Sequence, residues 1–258
     1  MSSTSAGVPP TPSDPGRRVL VIMPAWNEEG SVGSTITELR DLHPDVDVLV
    51  VDDGSGDGTA EAALVAGALV CQLPFNLGVG GAMRTGYRYA VRHGYDVAVQ
   101  VDADGQHDPR YLDLLLQGLD RADVVIGARF AGEGDYRARG PRRWAMVLLA
   151  WTLSRVTKVP LTDVTSGFRA SNARATKVFA EHYPAEYLGD TVESLVIASR
   201  MGCSVVQVPV GMRVRAAGQA SQTPAKAAIY LFRAMLALFL SLVRKWPSVE
   251  DTTAEVTV

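Results

Sequence analysis

Val97-Ala98-Val99-Gln100-Val101-Asp102-Ala103-Asp104-Gly105-Gln106 is a short apolar run that breaks off into two carboxylates, a glycine and an amide. A run of this length bounded by turn residues reads as a buried strand, and the Asp-x-Asp-Gly that follows reads as its terminating turn. Four more runs repeat the pattern: Val19 to Met23, Val46 to Val51, Ala68 to Gln72 and Val124 to Ile126. Segments of helical periodicity separate them. Ser31 stands where an N-cap would precede Val32 to Leu42, Asp57 or Thr59 can cap the next helix, and Pro109 suits the first turn of a helix through Leu119. Strands that alternate with helices predict an α/β domain built on a largely parallel sheet.

The polar loops of this Rossmann-like succession follow the carboxyl ends of the strands: Pro24 to Glu29 after the first, Asp52 to Gly58 after the second, Asp102 to Asp108 after the fourth. Ligands of open α/β sheets bind along that edge. Past Arg129 the pattern changes to a Gly- and Arg-rich connection, Gly132 to Arg143, and an apolar helical stretch from Trp144 to Val156, expected to serve the acceptor side. A strand-like Val205 to Arg213 precedes Ala216 to Thr223 and a helix from about Pro224 to Lys245. The expected organisation is a tail over 1–18, one domain over 19–223 divided into halves 19–130 and 131–223, an amphipathic helix over 224–246 and a second tail over 247–258.

The chain has 258 residues and is 47% hydrophobic, enough for one sizeable core. Its 25 basic and 28 acidic residues leave a formal charge of −3, so no global positive field draws it to nucleic acid. Cys71 and Cys203 lack the spacing of a zinc or redox motif and read as buried thiols in a reducing compartment. Met1 to Arg18 has no apolar core ahead of Arg17-Arg18 and does not read as a secretory signal. The apolar run Ala234 to Val243 falls well short of the ~20 residues of a spanning helix.

Asp102 and Asp104, at i and i+2 where a strand ends, can point two carboxylates to one side, with Gln106 two positions on. Such hard oxygen donors suit Mg²⁺ or Mn²⁺. In isolation the same stretch is more often a solvated turn. A calcium EF-hand is excluded: the glycine falls at loop position 4, and Asp113 rather than Glu stands at position 12. Asp52 and Asp53 on a Gly-rich turn can grip ribose hydroxyls or a base edge, or can simply form the turn. Pro24-Ala25-Trp26-Asn27-Glu28-Glu29 combines a flat ring with amide and carboxylate groups, as a nucleobase pocket or a core-filling Trp26 would. Asn76 to Met83 could set backbone N–H groups against phosphate oxygens at a helix start, but its glycines fit close helix packing better than a dinucleotide fingerprint, since Met83 takes the third glycine position and the segment does not follow the first strand. That absence also removes a nicotinamide oxidoreductase.

PAWNEE, VDDGSGDGT, NLGVGGAMRTG and VDADGQHDP occur in this order and pacing over Val19 to Phe130. Together they resemble the family 2 inverting glycosyltransferases of the GT-A fold. Val125 to Phe130, Asp163-Val-Thr-Ser-Gly-Phe-Arg-Ala170 and Val208-Pro209 followed by Arg213 and Arg215 are similar to its dolichol-phosphate mannose synthase branch. The resemblance implies that Pro24, Trp26, Glu28 and Asp53 hold the nucleoside, and that Asp102, Ala103, Asp104 and Gln106 hold metal and diphosphate. It also implies phosphate or sugar contacts for Arg129 and Arg213. Trp26 stands where Tyr is usual, and Gln222 where Lys commonly follows Ser.

The expected reaction moves a sugar from a GDP- or UDP-linked donor to a polyprenyl phosphate, with Asp104, Arg129 and Arg169 as the catalytic set and Arg169 the first choice for the acceptor phosphate. Asp190 and Glu193 fall where related enzymes carry acidic residues, yet their spacing equally fits a capped, solvated helix start. Transfer to a glycan or small-molecule hydroxyl, and a silent nucleotide-sugar-binding subunit beside a membrane partner, are the competing readings. Apolar residues of Lys226 to Trp246 are flanked by Lys226, Arg233, Arg244, Lys245 and Trp246, a pattern for a membrane surface or for an oligomer or partner interface. The corresponding place is the cytoplasm, peripheral at the inner face of the cell membrane.

Overall fold

The computed structural model describes residues 16–129, 141–184 and 190–213, the side chains of 141–145 excepted. Seven strands form one sheet: β1 (Val19–Ala25), β2 (Asp47–Asp52), β3 (Leu69–Gln72), β4 (Val97–Gln100), β5 (Val124–Ala128), β6 (Arg169–Asn172) and β7 (Val205–Pro209), in the order β3-β2-β1-β4-β6-β5-β7. The helices are α1 (Val32–Leu42), α2 (Thr59–Val65), α3 (Gly78–Arg92), α4 (Leu112–Gly118) after a 3-10 turn at Pro109–Tyr111, α5 (Pro141–Thr157), α6 (Ala173–His182) and α7 (Asp190–Arg200). Every apolar run read as a strand is one, and the α/β fold stands as expected. The expected tails, the segment 214–223 and the helix over 224–246 lie outside the described residues, except that Arg17 and Arg18 are already seated. Arg17 pairs with Asp120 at 2.8 Å, and the Arg18 guanidinium lies 4.5 Å from the centre of the Tyr95 ring.

β1, β2, β3 and β4 are mutually parallel, and β5 is parallel to β7. β6 runs antiparallel between β4 and β5. It was absent from the sequence reading because Arg169-Ala-Ser-Asn172 is mostly polar. Burial overrides that composition by pairing each group: Ser171 Oγ donates to Ala98 O at 3.1 Å, and Asn172 accepts from Ala175 N at 3.0 Å as the cap of α6. Ser31 occupies the N-cap position of α1, but its hydroxyl donates to Glu28 Oε2 at 2.8 Å rather than accepting from the helix.

Alternation along β1 divides the core. Val19, Val21 and Met23 pack with Ile36, Leu39 and Leu115 on one face; Leu20 and Ile22 pack with Met83, Tyr87 and Phe179 on the other. Leu149 and Leu153 of α5 join the second face with Val192 and Leu195 of α7. α3 crosses this sheet face at Gly86, where an added Cβ would stand 2.3 Å from Ile22 Cγ2. Close packing therefore accounts for that glycine, as the sequence reading held for the Asn76 to Met83 segment before it. Gly86→Ala is expected to lower stability by about 1–3 kcal/mol through overpacking. Ile22→Ala in the same chain should recover part of that loss, so urea unfolding of the double variant will show less than the sum of the single costs.

Candidate active site

The chain leaves β1 towards β2 and β3 on one side, then returns to place β4 on the other side of β1. At such a reversal the loops beyond the carboxyl ends of the two strands diverge and open a crevice. A cavity of about 320 Å³ lies there, lined by Pro24, Ala25, Trp26 and Glu28 after β1, Asp53 after β2, and Asp102, Ala103 and Asp104 after β4. Asn76, Gly78, Val79 and Ala82 from the start of α3 complete it. The sequence reading had preferred close packing for the glycines of this last segment over a phosphate site at the helix start. Its place at the cavity wall follows from the crossover, which no local signal reports.

The loops after β1 and β2 are braced against each other. Asn27 N donates to Ser55 Oγ at 2.9 Å, Gly56 N to Asn27 Oδ1 at 2.9 Å, Glu28 N to Thr59 Oγ1 at 2.8 Å and Gly58 N to Glu29 Oε2 at 3.1 Å. Asn27 sits at φ 56°, in the left-handed region that Asn tolerates better than most side chains. Bracing the loop this way leaves Trp26 55% exposed at the cavity, which disposes of the core-filling alternative. Asp53 is buried, and its oxygens accept from Leu77 N at 2.7 Å and Gly78 N at 2.8 Å. Burial raises its pKa, opposed by those two N–H groups and assisted by Asp52. The carboxylate thereby takes the N–H groups that a phosphate at the start of α3 would need.

Asp104 is 8% exposed, and its Oδ1 accepts from Gln106 N at 3.0 Å across Gly105, whose φ of 74° closes the turn. The Asp102 side chain is 37% exposed. Gln106 is outside the cavity lining; its carbonyl accepts from Arg213 N at 3.0 Å, so its expected part as a third ligand has no support in the placement. Among the described residues no group of three His, Cys, Asp or Glu converges as a ligand set. Two carboxylates facing one cavity nevertheless fit Mg²⁺ or Mn²⁺, which is commonly held by one or two carboxylates, with water and substrate phosphates supplying the rest.

The expected arginines are placed otherwise. Arg169 is 4% exposed, and its guanidinium donates to Ser166 O, Val164 O, Thr191 O and Ser194 Oγ at 2.8–2.9 Å. It pins α7 to the turn before β6 and presents no free edge to an acceptor phosphate, which corrects the role expected for it. Arg129 grips the fully buried Asp163 through Nε at 2.6 Å and Nη2 at 3.0 Å, and donates to Thr165 Oγ1. Arg213 lies between Glu38 at 2.7 Å and Asp108 at 2.8 Å, outside the cavity lining. Asp190 is buried at the first turn of α7, its pKa raised by burial against the pull of Arg169, with Tyr183 Oη 3.5 Å away. Asp190 is thus buried rather than solvated, and it stands outside the cavity lining.

The crevice at the reversal point is thus lined by a tryptophan, paired loops and two carboxylates. The family model for glycosyl transferase family 2 matches residues 20–180, and this chain belongs to that family. It is a glycosyltransferase. An undecaprenyl-phosphate mannosyltransferase of Micrococcus luteus is 35% identical over 216 residues, covering 80% of this chain and 88% of that protein. A polyprenol monophosphomannose synthase of Mycolicibacterium smegmatis is 34% identical, covering 83% and 84%. Among solved structures, glucosyl-3-phosphoglycerate synthase from Mycobacterium tuberculosis in complex with Mn²⁺, UDP and glucosyl-3-phosphoglycerate superposes with a TM-score of 0.64 at 22% identity, over 88% of this chain and 80% of that one. Mannosyl-3-phosphoglycerate synthase from Rubrobacter xylanophilus gives 0.67 at 18%, over 92% and 80%. These two share the fold.

The Arg129–Asp163 pair carries a pH signature. Burial would push Asp163 up, but the Arg129 hydrogen bonds and charge hold it below the usual carboxylate range. A depressed folded-state pKa gives stability that is present above the unfolded value of about 4 and lost as pH falls through the folded one. Arg129→Met leaves the buried carboxylate unpaired, and is expected to cost about 3–5 kcal/mol at pH 7. The sign then reverses: the variant should lose stability as pH rises above about 4, where the wild type has gained it, in urea midpoints taken from pH 4 to 8.

Proposed function

We propose that this glycosyltransferase moves a hexosyl group, mannose first, from a nucleoside diphosphate donor to a polyprenyl phosphate, with inversion and with Mg²⁺ or Mn²⁺ bound. The observation that carries the reading is the meeting of Trp26, Glu28 and Asp53 with Asp102 and Asp104 around one cavity. The two relatives at 35% and 34% identity, each named for mannosyl transfer to a polyprenyl carrier, point to the acceptor class and the sugar. The Mn²⁺ and UDP of the M. tuberculosis enzyme agree with the metal, while the nucleotide of the present donor is open to either GDP or UDP.

In this mechanism Trp26 offers its exposed ring to the base, and Pro24 and Glu28 border the nucleoside. Asp53 holds the start of α3 against the cavity wall, which brings Asn76 and Val79 to the same pocket. Asp102 and Asp104 would face the diphosphate and hold the metal. The chemistry that Mg²⁺ or Mn²⁺ would supply there is neutralisation of the charge developing on the departing diphosphate. An acceptor phosphate oxygen attacks the anomeric carbon from the opposite side; the bond to the donor diphosphate breaks, and its electrons leave with the nucleoside diphosphate. The attacking oxygen is already anionic, so no strong base is required, which agrees with Asp190 standing outside the cavity lining. Arg213 joins the end of the sheet to the Asp104 loop through Gln106 O and Asp108.

A lipid acceptor brings the site to a membrane surface, at its cytoplasmic face, and α5 offers the contact. Val147, Leu148 and Trp151 are exposed on it, and Arg155 lies 4.9 Å from the centre of the Trp151 ring. An apolar surface with a basic neighbour suits the headgroup region. Among the described residues no helix is long and apolar enough to cross a membrane.

Incubation with labelled GDP-mannose or UDP-sugars, polyprenyl phosphate and Mn²⁺ should move label into lipid, and EDTA should stop it. Asp104→Ala is expected to lower kcat at least about 100-fold, the scale of losing an electrostatic group at the developing charge. Transfer that persists in EDTA would sink the metal role, and no transfer from any donor would sink the acceptor class. Leu148→Glu with Trp151→Glu should reduce sedimentation with anionic vesicles while leaving thermal unfolding near that of the wild type, because both side chains are exposed.

A further inference from the structure

The side chain of His107 touches Asp102 twice. Asp102 N donates to His107 Nδ1 at 2.9 Å, which places the ring proton on Nε2, and Nε2 stands 3.5 Å from Asp102 Oδ2. The ring is 3% exposed and is held flat against the fully buried Phe168, with centroids 5.0 Å apart and planes 13° from parallel. Its backbone forms an isolated antiparallel bridge with Met212. The other oxygen of the carboxylate is met from β4: Gln100 Nε2 donates to Asp102 Oδ1 at 3.3 Å. Gln100 is itself buried, and among the described residues its Oε1 has no partner, so the hydrogen bond to Asp102 is the contact this amide shows. Gly167 closes the third side, where an added Cβ would stand 3.3 Å from each Asp102 oxygen and 2.9 Å from Gln100 Nε2.

A carboxylate on a turn has free rotamers, and fixing one of them lowers the entropic cost of binding a cation. We propose that His107 is a positioning residue for the metal: with Gln100 as the second arm and Gly167 leaving the space, it sets the Asp102 carboxylate in the orientation that receives the divalent ion. The proposal rests on the reading of Asp102 as a metal-binding residue and adds what aims it. A ring required only to pack on Phe168 would not need two nitrogens directed at one residue. His107→Phe preserves the ring and its stacking while removing both contacts. Gln100→Met keeps the volume and removes the amide.

The test counts free Mn²⁺ by its electron paramagnetic resonance signal as wild type, His107→Phe, His107→Gln, Gln100→Met and Asp102→Asn proteins are titrated without nucleotide, with melting temperatures taken on the same samples. His107→Phe should bind Mn²⁺ about 10–100-fold more weakly than wild type, the usual effect of losing an outer-shell partner. His107→Gln, which can supply one contact, should fall between them, and Asp102→Asn should be weakest. If His107→Phe fails to fold, Gln100→Met reads the same orientation and should also bind more weakly. Wild-type affinity in every folded His107 and Gln100 variant, with Asp102→Asn impaired, overturns the positioning role and leaves the metal reading intact. An unaffected Asp102→Asn, or no binding by the wild type, overturns both.

Discussion

The parallel pairing of β1 with β4 sets the rest of the molecule in place. Leu20 opposite Ala98 and Ile22 opposite Gln100 bring the ends of two strands some eighty residues apart in sequence to one edge. The chain between them must travel out through β2 and β3 and return, and the crevice opens where it turns back. Hydrophobic burial pays for this pairing: β1 and β4 are buried on both faces, and their loops are left to carry the polar groups. A tryptophan-lined pocket and a pair of carboxylates can then share a wall without belonging to one motif.

Rigidity reaches the loops by hydrogen bonds rather than by packing. The Trp26 to Glu29 turn is zipped to Ser55 to Thr59, Asp53 is tied to the first residues of α3, and the Asp102 to Asp108 turn is tied to Met212 and Arg213. Each tie satisfies a backbone N–H or a buried carboxylate that would otherwise cost free energy. The same ties hold exposed Trp26 and the two aspartates at fixed separations, which is what a site that must discriminate charge development from ground-state charge requires.

Charge is handled differently on the acceptor side. Arg129 and Arg169, both in segments whose sequence invites a phosphate, are consumed by the protein: one neutralises Asp163, the other gathers carbonyls from the turn before β6 and from α7. A buried guanidinium must find acceptors for its donors, and the backbone of Val164, Ser166 and Thr191 supplies them. Neither arginine lines the cavity. In the proposed mechanism the chemistry falls to Asp102 and Asp104, which would hold the ion.

Six of the seven strands, the helices other than α6, and the sheet edge where the polar loops gather were determined by the sequence itself. Apolar runs of four to seven residues ending in Gly, Asp and Asn report burial and termination locally. The paired carboxylates of Asp102 and Asp104 were legible for the same reason, since spacing at a strand end fixes their common direction. Which polar group meets which was decided only by tertiary structure. β6 is a strand because Arg169, Ser171 and Asn172 find partners in distant segments, and Gln106, Arg129, Arg169 and Arg213 took roles that depend on those partners. His107 passed unnoticed in a motif whose acids drew the reading. Hydrophobicity is a property each residue carries, whereas the fate of a charge depends on what lies within 3 Å of it, and that distance is set by the fold.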